Sequence, residues 1–170
     1  MDAIRNRRSI REFDLTRKIS YETLVDLCSY GEAAPSARNQ RSREYIIIDD
    51  ENIINNLSTV SKGSMVLTKC NTVIALVGCK KEDLSTPHMQ SQDLSCAVEN
   101  ILIAATSLGI GSCYIGIHPL EDRIDLCDQI LNVNNGAHTF ALIALGYPVE
   151  DDVFYDKKKF NSSFVHHNRY

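Results

Sequence analysis

The stretch that decides the fold is DLSCAVENILIAATSLGIGSCYIG, residues 93–116. Its first part carries apolar residues at intervals of three and four, which is typical of a helix with one buried face. These positions are Leu94, Val98, Ile101, Leu102, Ala105 and Leu108. We predict an amphipathic helix over 93–108 that crosses the core and is capped by Gly109. The segment SCYIGI then predicts a strand at 112–117, so a core helix leads directly into a sheet.

On both sides of this stretch, helical and extended patterns alternate along the chain. Runs of β-branched and apolar residues predict strands at 44–49, 71–78 and 138–148. Capping and periodicity predict helices at 2–8, from the Ser20 N-cap to about 31, at 51–60, and from Pro119 to about 131. Because the strands are few and separated by helices, this order favours an α+β domain with a central sheet over a full doubly wound fold.

Length and composition predict a single domain over 1–170 with an ordinary core. The chain is 44% hydrophobic and 24% charged, as in typical globular proteins. No apolar run reaches the roughly 18 residues of a membrane span, and the basic N-terminus lacks the apolar region of a secretory signal. Six scattered cysteines without a C-x-x-C pair indicate reduced core residues and a cytoplasmic location. We therefore expect no membrane partner.

The net charge of −4 is unevenly distributed. The two ends, 1–43 and 156–170, together carry +6, whereas 44–155 carries −10. A nucleic-acid-binding face usually needs a net-basic domain, so this distribution speaks against a nucleic-acid partner. If folding brings the ends together, their charge suits a local site for one small anion.

Two polar motifs are candidates for ligand binding. The motif RRSIR at 7–11 combines guanidinium groups, which bind phosphate through two hydrogen bonds at once, with a hydroxyl group. The motif PSARN at 35–39 is a loop whose Ser36 and Asn39 could bind the edge of a planar polar ligand. Each motif also has a plain interpretation, as a solvated basic helix and as a surface turn.

Other motifs argue against several kinds of active site. The segment GIGSCYIG at 109–116 does not match G-x-G-x-x-G, and it leads from a helix into a strand, the reverse of a Rossmann site. Gly116 falls inside the predicted strand, where glycine often marks close approach of another group. The sequence shows neither a G-x-S-x-G elbow nor a convincing metal cluster, so no catalytic or metal-binding residue is predicted. If the protein is an enzyme, we expect its reactive centre to be a cofactor.

Taken in order, five segments resemble the FMN-dependent nitroreductase family. They are RRSIREF, APSARNQ leading into EYIIID, the stretch 93–116, FALIALGYP, and the tail KKKFNSSFVHHNRY. The resemblance covers almost the whole chain. It implies a central mixed β-sheet packed by helices, in a homodimer with FMN at the interface. It also implies hydride transfer from NADH or NADPH through the flavin to nitroaromatic, quinone or flavin acceptors in a ping-pong cycle.

The resemblance assigns roles to particular positions. Four residues match the segment that holds the FMN phosphate and reaches the pyrimidine side of the flavin: Arg7, Arg8, Ser9 and Arg11. Four match the loop against the flavin ring: Pro35, Ser36, Ala37 and Asn39. Tyr114, Ile115 and Gly116 match the segment beside the reactive face of the ring, and Lys158 and Lys159 match a second phosphate clamp.

The chain departs from the family pattern after the loop. Arg41 and Arg43 stand where glutamine and an aromatic residue are common, and Arg41 is expected to place an extra cation beside the flavin. Two alternatives stay open: a flavin carrier of the same fold without turnover, and a small anion-binding regulatory module that uses the arginines alone.

Overall fold

The computed structural model describes residues 2–156 and 160–170. A four-stranded sheet in the order β1-β2-β4-β3 forms its centre. The strands are β1 Arg43–Ile48, β2 Thr72–Gly78, β3 Gly111–Gly116 and β4 His138–Gly146. Every pair of neighbouring strands is antiparallel.

Helices cover both faces of the sheet. They are α1 Asp2–Asn6, α2 Tyr21–Glu32, α3 Glu51–Ser58, α4 Gln90–Ser107 and α5 Glu121–Leu131. Short 3-10 turns span Ala37–Asn39, Gly63–Lys69, Lys81–Asp83, Pro87–Met89 and Ser162–Phe164. The predicted α+β architecture is therefore confirmed. Within the described ranges, no helix is both long enough and apolar enough to cross a membrane.

The two faces of the sheet belong to two separate clusters of buried side chains. Alternate residues of β2 divide between them, with Val73 and Ala75 on the α3–α5 face and Ile74 and Leu76 on the α2–α4 face. Since β2 and β4 lie in the middle of the sheet, both of their faces are covered. This is why their sequences are continuous apolar runs rather than alternating ones.

The expectation of a mixed sheet is wrong for the four strands themselves. The connections from β1 to β2 and from β3 to β4 each start and finish at the same end of the sheet, which makes these neighbours antiparallel. Among the described residues, parallel pairing is limited to one isolated bridge between Ser9 and Ser112 at the outer edge of β3.

The predicted elements are all present, with shifted ends. Helix α4 begins at Gln90, three residues before the predicted start, and Gly109 follows it with a φ of +70°. Helix α1 ends at Asn6, because the chain then turns to bridge β3. The Ser20 side chain accepts a hydrogen bond from the Thr23 N–H and caps α2, as predicted.

Candidate flavin site

The arginine segment, residues 7–11, is fixed along the start of β3. The Ile10 N–H donates to the Ser112 carbonyl at 2.9 Å, and Ser9 forms the parallel bridge to the same residue. Ile10 is buried in the core, which anchors the backbone between the arginines. The side chains on either side of it are therefore held at the sheet edge.

The arginine side chains meet the part of the chain that follows β4. The Arg8 guanidinium lies 4.8 Å from the centre of the Tyr155 ring and donates to the Tyr155 carbonyl and, at 2.7 Å, to the Arg7 carbonyl. Arg7 lies 3.1 Å from the Glu99 carboxylate on α4. Arg8, Ser9 and Arg11 line an open cavity of about 920 Å³ together with residues 150 and 152–155. The arginine segment thus lies next to the part of the chain that precedes the basic C-terminal end.

Two guanidinium groups of this segment keep unused hydrogen-bonding capacity within the described residues. The Nε of Arg8 is buried and has no hydrogen-bond partner among the described residues. Arg11 is exposed, and within the described ranges its guanidinium donates only to the Ser9 carbonyl, at 3.2 Å. Lys158 and Lys159, the predicted second phosphate clamp, lie outside the described residues.

The outer edge of β3 carries backbone groups that point away from β4. The Ser112 carbonyl points outward to Ile10, and backbone groups alternate along an antiparallel strand, so those of Tyr114 and Gly116 also point outward. Arg123 donates to the Gly116 carbonyl at 3.3 Å, which leaves the Gly116 N–H facing away from β4. A Cβ atom at Gly116 would find no heavy atom of the described chain within 4 Å. Another group therefore has room to approach the backbone here.

The two neighbours of this glycine differ in what they can contact. Ile115 is 4% exposed and packs in the core, so its side chain stabilises the strand rather than facing the edge. Tyr114 is 43% exposed, and partial burial raises the pKa of its phenol. Tyr114 and Gly116 are therefore the accessible groups of this segment.

The Pro-Ser loop, residues 35–42, has an unusual backbone. Arg38, Asn39 and Arg41 have φ angles of +51°, +55° and +45°, a region that costs a non-glycine residue about 1–2 kcal/mol. The Ser36 hydroxyl accepts from the Arg41 N–H at 3.0 Å, and the Ser36 carbonyl accepts from the Asn39 N–H at 2.9 Å. Pro35, Arg38, Asn39 and Arg41 are exposed. The hydrogen bonds of Ser36 thus stabilise the turn within the loop, and Asn39 is left exposed to solvent.

Sequence reasoning missed the residues that hold this loop. Asp93, 4% exposed, accepts from the Ala37 N–H at 2.8 Å and from the Gln40 amide at 2.7 Å. Its position could have been a signal, because Asp93 precedes Ala97 and Ile101 by one and two helical turns on the buried side of α4. A charged residue on an apolar stripe needs hydrogen-bond partners, and here the loop supplies them.

Arg43 is also a structural residue. Its side chain is 1% exposed, and it donates to the Glu32 carboxylate at 3.2 Å and to the carbonyls of Glu32 and Ala34 at 2.8 and 2.6 Å. The guanidinium therefore caps the end of α2 shortly before Pro35 and is not exposed to a ligand. The Arg41 side chain, by contrast, is 67% exposed. Its Nε lies 4.0 Å from the Glu32 carboxylate, a long contact that leaves the guanidinium accessible.

The structure does not bring all predicted residues together. β1 and β3 are the opposite edges of the sheet, separated by three strand spacings or roughly 14 Å. The register also places the Ser9 bridge about six residues, or roughly 20 Å, along the strands from Arg43. Within one chain, the arginine segment and the Pro-Ser loop thus lie at opposite corners of the sheet.

The structure also has a second cavity, which lies away from the predicted site. A more enclosed cavity of about 360 Å³ lies between the starts of α2, α3 and β2, and none of the predicted site residues lines it. Among the described residues, no cluster of three histidine, cysteine or acidic side chains could hold a metal ion.

Comparisons with known proteins identify the family of this chain. A model of the nitroreductase family matches residues 4–69 and 66–147. A protein of Archaeoglobus fulgidus, provisionally named NADH dehydrogenase/NAD(P)H nitroreductase, is 34% identical over 170 residues, which are 98% of this chain and 96% of that protein.

Two solved structures show the same fold over the whole length. A provisionally named NADH oxidase of Clostridium acetobutylicum superposes with a TM-score of 0.91 at 32% identity, covering 99% of both chains. An FMN-dependent nitroreductase of Clostridium difficile superposes with a TM-score of 0.89 at 25% identity, also over 99% of both chains. The chain described here therefore belongs to the nitroreductase family.

Proposed function

We propose that this protein is an FMN-dependent oxidoreductase that uses NADH or NADPH to reduce nitroaromatic, quinone or flavin-type acceptors. When bound, FMN would supply the redox chemistry by accepting a hydride at N5 and passing its electrons to the second substrate in a ping-pong cycle. The observation that carries the proposal is the outer edge of β3, which pairs with the arginine segment at Ser112 and extends beyond it to Gly116. This edge fits a long ligand with a phosphate at one end and a planar ring at the other.

The arginine segment would hold the phosphate. Arg8, Ser9 and Arg11 line one cavity, and the exposed Arg11 guanidinium makes only one long hydrogen bond within the described residues. Charge-assisted hydrogen bonds from guanidinium to phosphate are about twice as strong as neutral ones. Arg7, paired with Glu99, would support this group, and Lys158 and Lys159 would add a second clamp from the C-terminal tail.

The β3 edge would hold the ring. The outward N–H of Gly116 could donate to an acceptor atom of a planar heterocycle, and the space at this glycine admits a ring close to the backbone. We assign no general base to the protein, because its task would be to position the nicotinamide and exclude water.

We further propose that the site is completed by a second copy of the chain. The Pro-Ser loop, with Asn39 and Arg41, lies too far from the arginine segment to share one ligand with it in the same chain. The exposed apolar side chains near the C-terminus, Phe160, Phe164 and Val165, are 65–79% exposed and would gain cover from a partner. A homodimer with two flavin sites at its interface accounts for both observations.

The first experiment is spectroscopic. We expect the purified protein to be yellow, or to become so with added FMN, and to oxidise NADH or NADPH in the presence of menadione or a nitrofuran. A yellow protein without turnover on any of these acceptors would instead support a flavin carrier. A colourless protein that does not bind FMN would leave only the anion-binding module. The six unpaired cysteines are consistent with the reducing cytoplasm that we propose as its location.

Complementation tests the two-chain site. The variants R8A and N39A should each have weakened flavin sites, because each homodimer carries one lesion in both of its sites. A mixed dimer of the two variants should regain one intact site, with Arg8 from one chain and Asn39 from the other. Failure of the mixture to regain flavin binding, when mass spectrometry shows that mixed dimers have formed, would contradict the shared site.

A further inference from the structure

The Pro-Ser loop needs support from outside itself. Three of its residues adopt left-handed backbone angles that favour glycine, and none of them is glycine. Such conformations persist when surrounding structure holds them in place. The internal bonds of Ser36 close the turn, but they do not attach it to the core.

Asp93 makes that attachment with both carboxylate oxygens. One oxygen accepts from the Ala37 N–H at 2.8 Å, and the other accepts from Gln40 at 2.7 Å and from the Ser42 hydroxyl at 3.2 Å. Ala37 precedes the strained residues, Gln40 lies between them, and Ser42 follows them. The carboxylate therefore holds the loop at its two ends.

The element that carries Asp93 is rigid. Helix α4 is packed through Leu94, Ala97 and Ile101, all 0% exposed. Asp93 lies in the first turn of this helix, where the helix dipole favours a negative charge. The position of the loop is thus set by the core helix of the protein.

The contacts between Gln40 and Thr86 fix which end of the Gln40 amide faces Asp93. The Gln40 side-chain oxygen accepts from the N–H and the hydroxyl of Thr86, both at 2.9 Å, so its amide nitrogen must point at Asp93. An asparagine at 93 would turn its own amide nitrogen either toward Gln40 or toward the Ala37 N–H. Two donors would face each other in both orientations, so a neutral isostere cannot reproduce the contacts.

We infer that Asp93 is a positioning residue for the flavin site, which holds the Pro-Ser loop in the conformation that presents Asn39 and Arg41 to the ring bound by the partner chain. This inference rests on the proposed flavin function. It assigns a role to a residue that touches no ligand and acts only through the loop.

The test compares D93N with D128N. Asp128 is also a structural carboxylate, accepting from the Thr139 N–H and hydroxyl at 2.7 and 2.6 Å, but it holds β4 and not the loop. We expect faster hydrogen exchange at residues 37–42 in D93N, and a flavin dissociation constant raised about tenfold, as for the loss of one charged hydrogen bond. At saturating FMN, the visible circular dichroism of the bound flavin should also change. D128N should show none of these effects.

Three outcomes would overturn the inference. They are unchanged exchange at 37–42 in D93N, faster exchange with an unchanged dissociation constant and flavin spectrum, or equal effects in D128N. If D93N does not fold, S42A removes only the longest of the three bonds and should give the same changes at smaller size. Parental behaviour of S42A would then count against Asp93 as a positioning residue.

The proposed function fails in a different way. If the parent protein does not bind FMN, the flavin site is wrong, whatever the variants do. The hydrogen-exchange comparison without flavin then still decides whether Asp93 holds the loop.

Discussion

The guanidinium of Arg43 lies 3.2 Å from the carboxylate of Glu32, with the arginine side chain 1% exposed and the glutamate side chain 38% exposed. This pair joins the first residue of β1 to the last residue of α2, immediately before the Pro-Ser loop. Arg43 also satisfies two carbonyl groups there. The pair therefore closes the helix end from which the loop departs.

Removal of Arg43 should destabilise the fold. We expect R43A to lower the free energy of unfolding by about 3 kcal/mol, because it leaves a carboxylate and two carbonyls without their donor. Urea unfolding measures this directly. The matched control is R41A, because Arg41 is exposed and 4.0 Å from the same carboxylate, and it should cost less than about 0.5 kcal/mol. Equal losses in the two variants would show that burial does not distinguish these arginines.

Loss of Arg8 should weaken flavin retention. We expect R8A to reduce the FMN binding free energy by roughly 1–3 kcal/mol, the value of a charged hydrogen bond. R7A should also weaken FMN binding, because it removes the arginine that Glu99 holds beside Arg8. Fluorescence titration with FMN measures both, with K62A, an exposed cation on the connection after α3, as the control. The same FMN affinity in R8A and in the parent would remove the arginine segment from the site.

Substitution of Gly116 should weaken FMN binding without changing the stability of the fold. A methyl group at this position meets nothing within 4 Å in the described chain, so G116A should change the unfolding free energy by no more than about 0.5 kcal/mol. It should nevertheless weaken FMN binding, because the methyl group occupies the space proposed for the ring.

Gly111 on the same strand is the matched control, because its substitution should affect stability. A Cβ atom there would come within 3.0 Å of Ile10 and 3.2 Å of the Gly146 carbonyl, so G111A should lower stability. Thermal unfolding and FMN titration of the two variants separate the effects. Unchanged FMN affinity in G116A would contradict the proposed approach of the ring.

Two histidines, His118 after β3 and His138 at the start of β4, should make the free energy of unfolding depend on pH. The pKa values of His118 and His138 are lowered, first by burial and then by the nearby Lys81, against opposing contributions from Glu121 and, for His138, Asp128. Because the folded state favours the neutral rings, the unfolded state binds more protons once the pH falls below about 6.5. The free energy of unfolding should therefore be constant above this pH and decrease below it.

Urea unfolding at pH 7.5 and 5.5 measures the effect. H138Q should show a smaller decrease than the parent, since one of the two rings is gone. H88Q removes an exposed histidine and should keep the parental decrease. A decrease in H138Q as large as in the parent would exclude His138 as a source of the pH dependence.

The sequence by itself determined the elements and the family. Apolar periodicity predicted α4, and capping residues and β-branched runs predicted the remaining helices and strands, because these signals are local in the chain. The ordered motifs also identified the arginine segment, the Pro-Ser loop and the β3 segment as one set. The charge distribution suited an anion site only if folding brought the two ends of the chain together, and the contact of Arg8 with Tyr155 places the C-terminal region next to the arginine segment.

Only the tertiary structure decided how these parts are arranged. The antiparallel order of the strands follows from which ends the connections join, and no local pattern reports that. The roles of Asp93 and Arg43 depend on hydrogen bonds between residues up to 56 positions apart, so the sequence can mark Asp93 as a charge on an apolar stripe but cannot name its partners. The separation of the arginine segment from the Pro-Ser loop across the sheet is likewise a matter of register over several strands, and it is the physical reason why we propose that two chains share the site.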